Sequence, residues 1–103
     1  MHQSVSFDPF RFEPATGRLW CGTQEVRLTP KAAAVLVALV ANAGEPVSKQ
    51  ALFASVWRDS VVSDDALISC IQELRKALAD DPKQPRFIQT VRSAGYMLLR
   101  PES

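Results

Sequence analysis

The sequence predicts an α+β fold in which a small N-terminal antiparallel sheet is followed by three helices and a C-terminal β-hairpin. Between about residues 5 and 28, apolar and polar residues alternate in short stretches that are separated by turn residues. Three segments with helical periodicity and capping residues follow at about 30–43, 48–56 and 63–79. In the last stretch, about 86–100, residues of the two strand faces alternate on both sides of a Ser-Ala-Gly turn, and this pattern predicts the hairpin.

The composition is that of one small globular domain. The chain has 103 residues, of which 47% are hydrophobic, and we predict a single domain with one modest core over residues 1–103. Its formal net charge is +1, from 12 Lys and Arg against 11 Asp and Glu. This balance neither favours nor excludes a polyanionic partner, so any electrostatic argument must be local.

No segment predicts a membrane span or a secretion signal. The longest apolar run, residues 32–41, is well short of the ~18 residues that a span requires. Residues 1–6 are polar and lack an apolar signal-peptide region. We therefore expect a cytoplasmic domain. The end soon after the predicted hairpin suggests an excised N-terminal domain of a longer protein.

The N-terminal alternation predicts three or four short strands. Residues that tolerate turn dihedrals interrupt it at positions 8–9, 14–17 and 21–23. The prolines in the first two turns cannot donate to a β-ladder, which suits turns or an edge strand. We expect this sheet to be a scaffold.

The first two helices are predicted from their caps and apolar content. Thr29, followed by proline, can cap the first helix, whose apolar residues lie on nearly all sides. We expect it to be buried between the sheet and the other helices. Ser48 can cap the second helix, which is about two turns long, and residues 57–60 form a tight connector to the third.

The third predicted helix has one core face and one polar face. At ~100° per residue, its large apolar residues form a narrow stripe. The opposite face carries short polar side chains, so the helix could lie in a groove. Ser63 or Asp64 can cap it, and with the preceding short helix it predicts a helix-turn-helix-like unit. The stripe is Leu67, Ile71, Leu74 and Leu78; the polar face is Asp65, Ser69, Gln72 and Lys76, flanked by Ile68 and Glu73.

The residue inventory argues against an enzyme or a metal site. The chain has one histidine, at position 2, four unclustered glycines and no nucleophile beside a base. The pairs Asp64-Asp65 and Asp80-Asp81 suit capping and turns. Cys21 and Cys70 lack metal-ligand spacing, and we interpret both as small buried hydrophobes in a reducing compartment. No cofactor is predicted.

Several phrases, in this order and spacing, resemble one family of bacterial regulators. They are VRLTPKAAAVLVALVANAGEPVSKQAL, the VW that ends the second helix, VVSDDALISCIQELRKALADD and PRFIQTVRSAGYMLL. Each short motif alone is weak, but together they resemble the OmpR/PhoB-type transcriptional regulatory domain over residues 10–99. The resemblance is greatest to members whose DNA-binding domain comes first, such as CadC/ToxR-like membrane regulators and tetratricopeptide-containing regulators.

The resemblance implies a winged helix-turn-helix that binds double-stranded DNA. The third helix would enter the major groove and the hairpin wing would reach the minor groove. Ser69 and Gln72 can donate and accept at base edges one turn apart, so we predict that they read bases. Contacts to the DNA backbone, including those of the wing, are predicted for Lys49, Trp57, Arg75, Lys76, Thr90 and Arg92.

Two features depart from the family pattern, and two further residues need a separate interpretation. Glu73 stands where many relatives have arginine, and its carboxylate could accept from cytosine N4 but would repel a phosphate, so we include it among the base readers. The wing tip VRSAGY has fewer basic residues than many relatives. Tyr96 is expected to pack against the third helix. For Trp57, core packing is the alternative to DNA contact.

A different class of function stays open on the sequence alone. The near-neutral charge and an exposed Ile68 suit a winged helix that docks a partner protein, with weak or no DNA binding. The resemblance further implies a head-to-tail homodimer on direct repeats, contact with RNA polymerase and a sensory or effector domain C-terminal to residue 103. It also leaves open that the full-length protein is tethered to the inner membrane.

Overall fold

The computed structural model describes residues 5–7, 9–58, 60–81, 83–92 and 94–99. Within this part of the chain, a four-stranded sheet, three helices and a two-stranded hairpin follow in the predicted order, so the α+β prediction is confirmed. The elements are β1 (Val5–Phe7), β2 (Phe10–Glu13), β3 (Arg18–Cys21), β4 (Gln24–Val26), α1 (Pro30–Ala41), α2 (Lys49–Val56), α3 (Asp64–Ala77), β5 (Ile88–Val91) and β6 (Gly95–Leu98).

The N-terminal sheet is an antiparallel meander that turns one face to the core. Its strands lie in the order β1-β2-β3-β4, and Leu19 pairs with both Phe12 and Val26. Because side chains alternate along a strand, this row shares one face, where Phe12 and Leu19 are fully buried. On the other face the Arg11 guanidinium lies 5.8 Å from the centre of the Trp20 ring. Phe12 and Leu19 belong to the same hydrophobic core as the buried residues of the helices.

Helix α1 lies at the centre of the domain. Thr29 caps it as predicted, since its hydroxyl oxygen accepts from the N–H of Ala32 at 3.3 Å. The helix packs against α2, α3 and β6. Its most buried residues recur with helical spacing, and most of the others are half-buried, which agrees with the predicted burial on several sides. The fully buried residues are Ala32, Val35, Leu36 and Leu39.

Helices α2 and α3 form the predicted helix-turn-helix unit. The Ser48 hydroxyl accepts from the N–H of Ala51 at 3.0 Å and caps α2. Ser63 occupies the N-cap position of α3, but its side chain makes no capping hydrogen bond, so that detail of the capping prediction is wrong. The predicted apolar stripe of α3 is confirmed, because all four of its residues are at most 1% exposed: Leu67, Ile71, Leu74 and Leu78.

A left-handed turn ends α3 and directs the chain into the wing. Ala79 has φ +54°, and the N–H groups of Ala79 and Asp80 donate to the carbonyls of Lys76 (3.3 Å) and Arg75 (2.7 Å). The buried Asp80 carboxylate then accepts from the N–H groups of Arg86 (2.7 Å) and Ile88 (3.0 Å). One carboxylate therefore links the end of α3 to the base of the hairpin.

The wing is a two-stranded hairpin whose second strand also pairs with one residue of the α1–α2 connector. Val91 of β5 pairs with Gly95 of β6, and on the other side of β6 Val47 exchanges two backbone hydrogen bonds with Tyr96, at 2.7 and 3.0 Å. Gly95 has φ +125°, and a Cβ there would collide with the Val47 carbonyl oxygen, so glycine is required. Tyr96 is buried, and its packing against the third helix stays a prediction. The α1–α2 connector thus holds β6 in place.

Candidate nucleic-acid interface

The exposed surface of α3 is bounded by two side chains that turn back to the protein. Glu73 bonds to the start of α1 on one edge, and Arg75 bonds to β5 of the wing on the other. Between these edges lie five exposed residues whose side chains make no hydrogen bond or ion pair to another described residue. We call them the open face of α3: Asp65, Ile68, Ser69, Gln72 and Lys76.

Glu73 has a structural role that the sequence did not predict. One carboxylate oxygen accepts from the backbone N–H of Thr29 at 2.7 Å, and the other accepts from the Thr29 hydroxyl at 2.8 Å. The unpaired N–H groups and partial positive charge at a helix N-terminus favour an anion at this place. The side chain is therefore occupied at the α1 edge, and its geometry favours holding α3 to α1 over base reading.

The two remaining candidates for base reading lie on the open face. Ser69 and Gln72 are exposed on α3 with their polar groups available to a ligand. Periodicity and the family resemblance together led to these residues, and the structure brings them together with two others that were not proposed as DNA contacts. Asp65 adds a carboxylate acceptor, and Ile68, 39% exposed, adds an aliphatic surface. The open face can therefore donate, accept and make apolar contact.

The cationic side chains predicted to meet phosphates differ in their surroundings. Lys76 is exposed on the open face, and Arg92 is exposed in the turn of the wing. The Lys49 Nζ lies 3.9 Å from a carboxylate oxygen of Asp64, and both side chains are at least half exposed. An exposed ion pair at this separation is weak, so Lys49 can exchange it for another anion.

Arg75 points to the wing. Its Nη2 donates to the Ile88 carbonyl at 3.3 Å and to the Thr90 hydroxyl oxygen at 3.0 Å. Its Nε is buried without a hydrogen-bond partner. Two residues predicted to contact DNA independently, Arg75 and Thr90, are thus bonded to each other, and sequence spacing carries no signal of this contact.

Trp57 is largely accounted for by packing. It is 8% exposed at the C-cap of α2, with its ring 5.7 Å from that of Phe53. The Lys31 Nζ lies 5.9 Å from the centre of the ring and donates to the Val56 carbonyl at 3.0 Å. Little of the indole surface is exposed to a ligand, so core packing is the main role of Trp57.

An open cleft of about 580 Å³ lies between the start of α2, the start of α3 and the wing tip. Ser48, Lys49 and Gln50 supply polar groups along one wall, and Asp64 closes one end. Ala94 and Gly95 form the wing side.

The cysteines show no sign of reactive chemistry. Burial raises the pKa of the Cys70 thiol above its usual value, and the nearby Glu73 carboxylate adds to the increase while Lys31 opposes it. The thiol therefore stays protonated at neutral pH. Cys21 is half-buried. Within the described part of the chain, no group of His, Cys, Asp and Glu residues could hold a metal ion, and no helix could cross a membrane.

The sheet, the helix-turn-helix unit and the hairpin define a winged-helix domain of the kind that binds DNA with its third helix. The family model for "Transcriptional regulatory protein, C terminal" matches residues 23–98, and the chain belongs to this family. The predicted resemblance to OmpR/PhoB-type regulatory domains is therefore confirmed. At the level of the family, so is the predicted function as a DNA-binding domain of a transcriptional regulator.

The curated relatives that the chain matches are longer bacterial proteins. The chain is 38% identical to Protein PetR of Rhodobacter capsulatus over 100 residues, which are 91% of this chain and 42% of PetR. It is 42% identical to Transcriptional regulator HilA of Salmonella typhimurium over 85 residues, 82% of this chain and 15% of HilA. The chain thus spans less than half the length of either relative.

Solved structures share the complete fold. The Klebsiella pneumoniae RstA DNA-binding domain, solved in complex with the RstA box, is similar with a TM-score of 0.82 and 28% identity, covering 98% of this chain and 100% of that one. The DNA-binding domain of Escherichia coli CadC is similar with a TM-score of 0.80 and 29% identity, covering 98% of this chain and 96% of that one.

Proposed function

We propose that the chain acts as one winged-helix domain that binds specific sites in double-stranded DNA, with α3 in the major groove and the wing at the adjacent minor groove. The observation that carries this proposal is the open face of α3. It presents side chains with no partner among the described residues, while Glu73 and Arg75 fix the helix at both edges. A rigid helix with free hydrogen-bonding groups suits groove recognition.

Base reading is assigned to the centre of the open face. The Gln72 amide can donate to adenine N7 and accept from adenine N6 in one bidentate contact, and the Ser69 hydroxyl can donate or accept one turn away. Asp65 can accept from cytosine N4. Glu73 is left out of this set because both its carboxylate oxygens already bond to Thr29.

Positioning on the phosphates is assigned to the exposed cations around the open face. Lys76 lies on α3 itself, Lys49 lies at the cleft beside α2, and Arg92 lies at the wing tip, where it can enter a narrow minor groove. Trp57 has a minor part at most, because it is almost fully buried. The three cations account for local attraction in a chain whose net charge is only +1.

The test is a selection of bound duplexes from random DNA with the 103-residue chain, followed by affinity measurements over a range of salt. We expect one enriched motif and an affinity that falls steeply as salt rises, because each phosphate contact releases counterions. Lys76→Ala should reduce the slope by about one, and Arg18→Ala, the same charge change on β3 of the sheet, should leave it unchanged. A pool with no enriched motif, or an affinity independent of salt, would contradict the proposal.

A protein-docking function is the second candidate, and two exposed aliphatic residues favour it. Ile68 is 39% exposed on the open face, and Val61, before α3, is fully exposed. If docking is the main function, Ile68→Ser and Val61→Ser abolish capture of a partner while the selected DNA motif is weak or absent. Two scattered aliphatic residues are common on surfaces, so we favour DNA.

The larger assembly is proposed from the family alone. We propose that the domain pairs head to tail on direct repeats, that the regulator contacts RNA polymerase, and that a sensory or effector domain follows the wing in the full-length protein. Its site of action would be the cytoplasm, with or without an anchor in the inner membrane. The stoichiometry of the domain on one and two selected half-sites tests the first point: non-cooperative binding to two half-sites would contradict pairing.

A further inference from the structure

Arg75 is a half-buried cation whose hydrogen bonds go to uncharged groups of the wing. One nitrogen, Nη2, donates both to the Ile88 carbonyl at 3.3 Å and to the Thr90 hydroxyl oxygen at 3.0 Å. No carboxylate lies within ion-pair distance among the described residues. The side chain therefore bridges α3 and β5, at the edge of the surface assigned to DNA.

This contact determines what Thr90 can offer a ligand. A threonine hydroxyl has one proton and two acceptor positions, and here Arg75 uses an acceptor position. The proton of Thr90 stays available for an outside acceptor, and Thr90 is exposed. Donation from a guanidinium polarises the hydroxyl, which strengthens the bond that its proton makes. A phosphate oxygen is the acceptor that DNA presents at a wing.

The contact also completes the attachment of the wing. Val47 holds β6 through two backbone hydrogen bonds, and Asp80 holds the start of β5. The first joins backbone to backbone and the second joins a side chain to the start of β5, so neither reaches Thr90. Arg75 is the side chain of α3 that joins β5 above its base.

We propose that Arg75 is a positioning residue: it directs the Thr90 hydroxyl proton to a DNA phosphate and sets the spacing between α3 and the wing, instead of contacting DNA itself. The proposal rests on the proposed DNA-binding function. It reassigns Arg75 from the phosphate contacts predicted by sequence to a contact within the protein, and it makes Thr90 the group that touches DNA.

The test is a double-mutant cycle with Arg75→Met and Thr90→Val, measured on the selected duplex over a range of salt. Each single variant should bind about tenfold more weakly, the effect of losing one charge-assisted hydrogen bond. The double variant should bind no more weakly than Arg75→Met, because both changes remove the same contact. The salt slope should stay at the wild-type value in all three variants. The Thr90 hydroxyl is neutral and Arg75 is not assigned to a phosphate, so neither change alters the number of counterions released.

Lys76→Met is the matched control on the same helix. As an exposed cation assigned to a phosphate, it should lower the salt slope by about one and add fully to Thr90→Val. Thr90→Ser, which keeps the hydroxyl, should bind like the wild type. If circular dichroism shows that Arg75→Met is unfolded, Arg75→Gln replaces it in the same cycle, because it removes the charge and shortens the donor.

Two results would overturn the assignment: effects of Arg75 and Thr90 that simply add, or a salt slope that falls by about one in Arg75→Met as it does in Lys76→Met. Both outcomes require a wild-type chain that binds its selected duplex. A wild type that selects no duplex contradicts the DNA-binding function itself, so the two failures are distinguishable.

Discussion

Each edge of α3 is joined to a neighbouring element by one charged side chain, which is negative at one edge and positive at the other. At the α1 edge, the Glu73 carboxylate meets a helix N-terminus, where two donors of Thr29 compensate its charge. At the wing edge, the Arg75 guanidinium meets a carbonyl and a hydroxyl, which leave its positive charge uncompensated. The comparison teaches that a charged residue at the border of an exposed helix face can bond within the protein, whatever its sign.

The largest effect is expected from removing the carboxylate that links the end of α3 to the base of the wing. Asp80→Ala should lower the free energy of unfolding by about 3 kcal/mol, because the N–H groups of Arg86 and Ile88 lose a buried carboxylate partner. Chemical denaturation measures this. Asp81→Ala is the control, since Asp81 is exposed and should cost less than about 1 kcal/mol. Equal losses in both variants would show that the buried link is unimportant.

The next effect concerns the open face between the edges. Gln72→Ala should cost ~1–3 kcal/mol of binding to the selected motif and relax one base position, whereas Lys76→Ala should weaken all sequences alike. Repeating the selection with each variant measures the change in preference. An unchanged motif with Gln72→Ala would mean that this amide does not read a base.

Loss of the Glu73 contact at the α1 edge should lower stability and leave the base preference unchanged. Glu73→Ala should lower the free energy of unfolding by about 1 kcal/mol, because the Thr29 N–H and hydroxyl lose their acceptors. Glu73→Gln keeps one acceptor and should lose less. Denaturation gives the stability, and a repeated selection gives the motif. A changed base preference in Glu73→Gln would restore Glu73 to the base readers.

The smallest effect is a gain at the turn where α3 leads to the wing. Ala79→Gly should stabilise the fold by about 0.5–1 kcal/mol, since Ala79 holds a left-handed φ of +54° that glycine adopts without a Cβ clash. Ala77→Gly, within the last turn of α3, is the control and should destabilise by up to about 1 kcal/mol. Thermal unfolding compares the two. A loss of stability in both would show that the turn is unstrained.

Helical periodicity was sufficient to orient α3. The stripe of large apolar residues predicted the core face, and Ser69, Gln72 and Lys76 were found on the open face, because burial of such a stripe depends on local spacing alone. The same spacing placed Glu73 and Arg75 beside the polar face. It could not tell that each would find a partner 44 or 15 residues away in the chain.

By itself, the sequence determined the order of the elements, the caps of α1 and α2, the core face of α3 and the family, since all of these depend on local spacing and residue type. Only the tertiary structure decided which polar residues of α3 remain available to a ligand. A charged side chain at the border of a helix face bonds to whatever complementary group the fold brings to that border, here Thr29 of α1 and Thr90 of the wing. That choice depends on packing between elements distant in the chain.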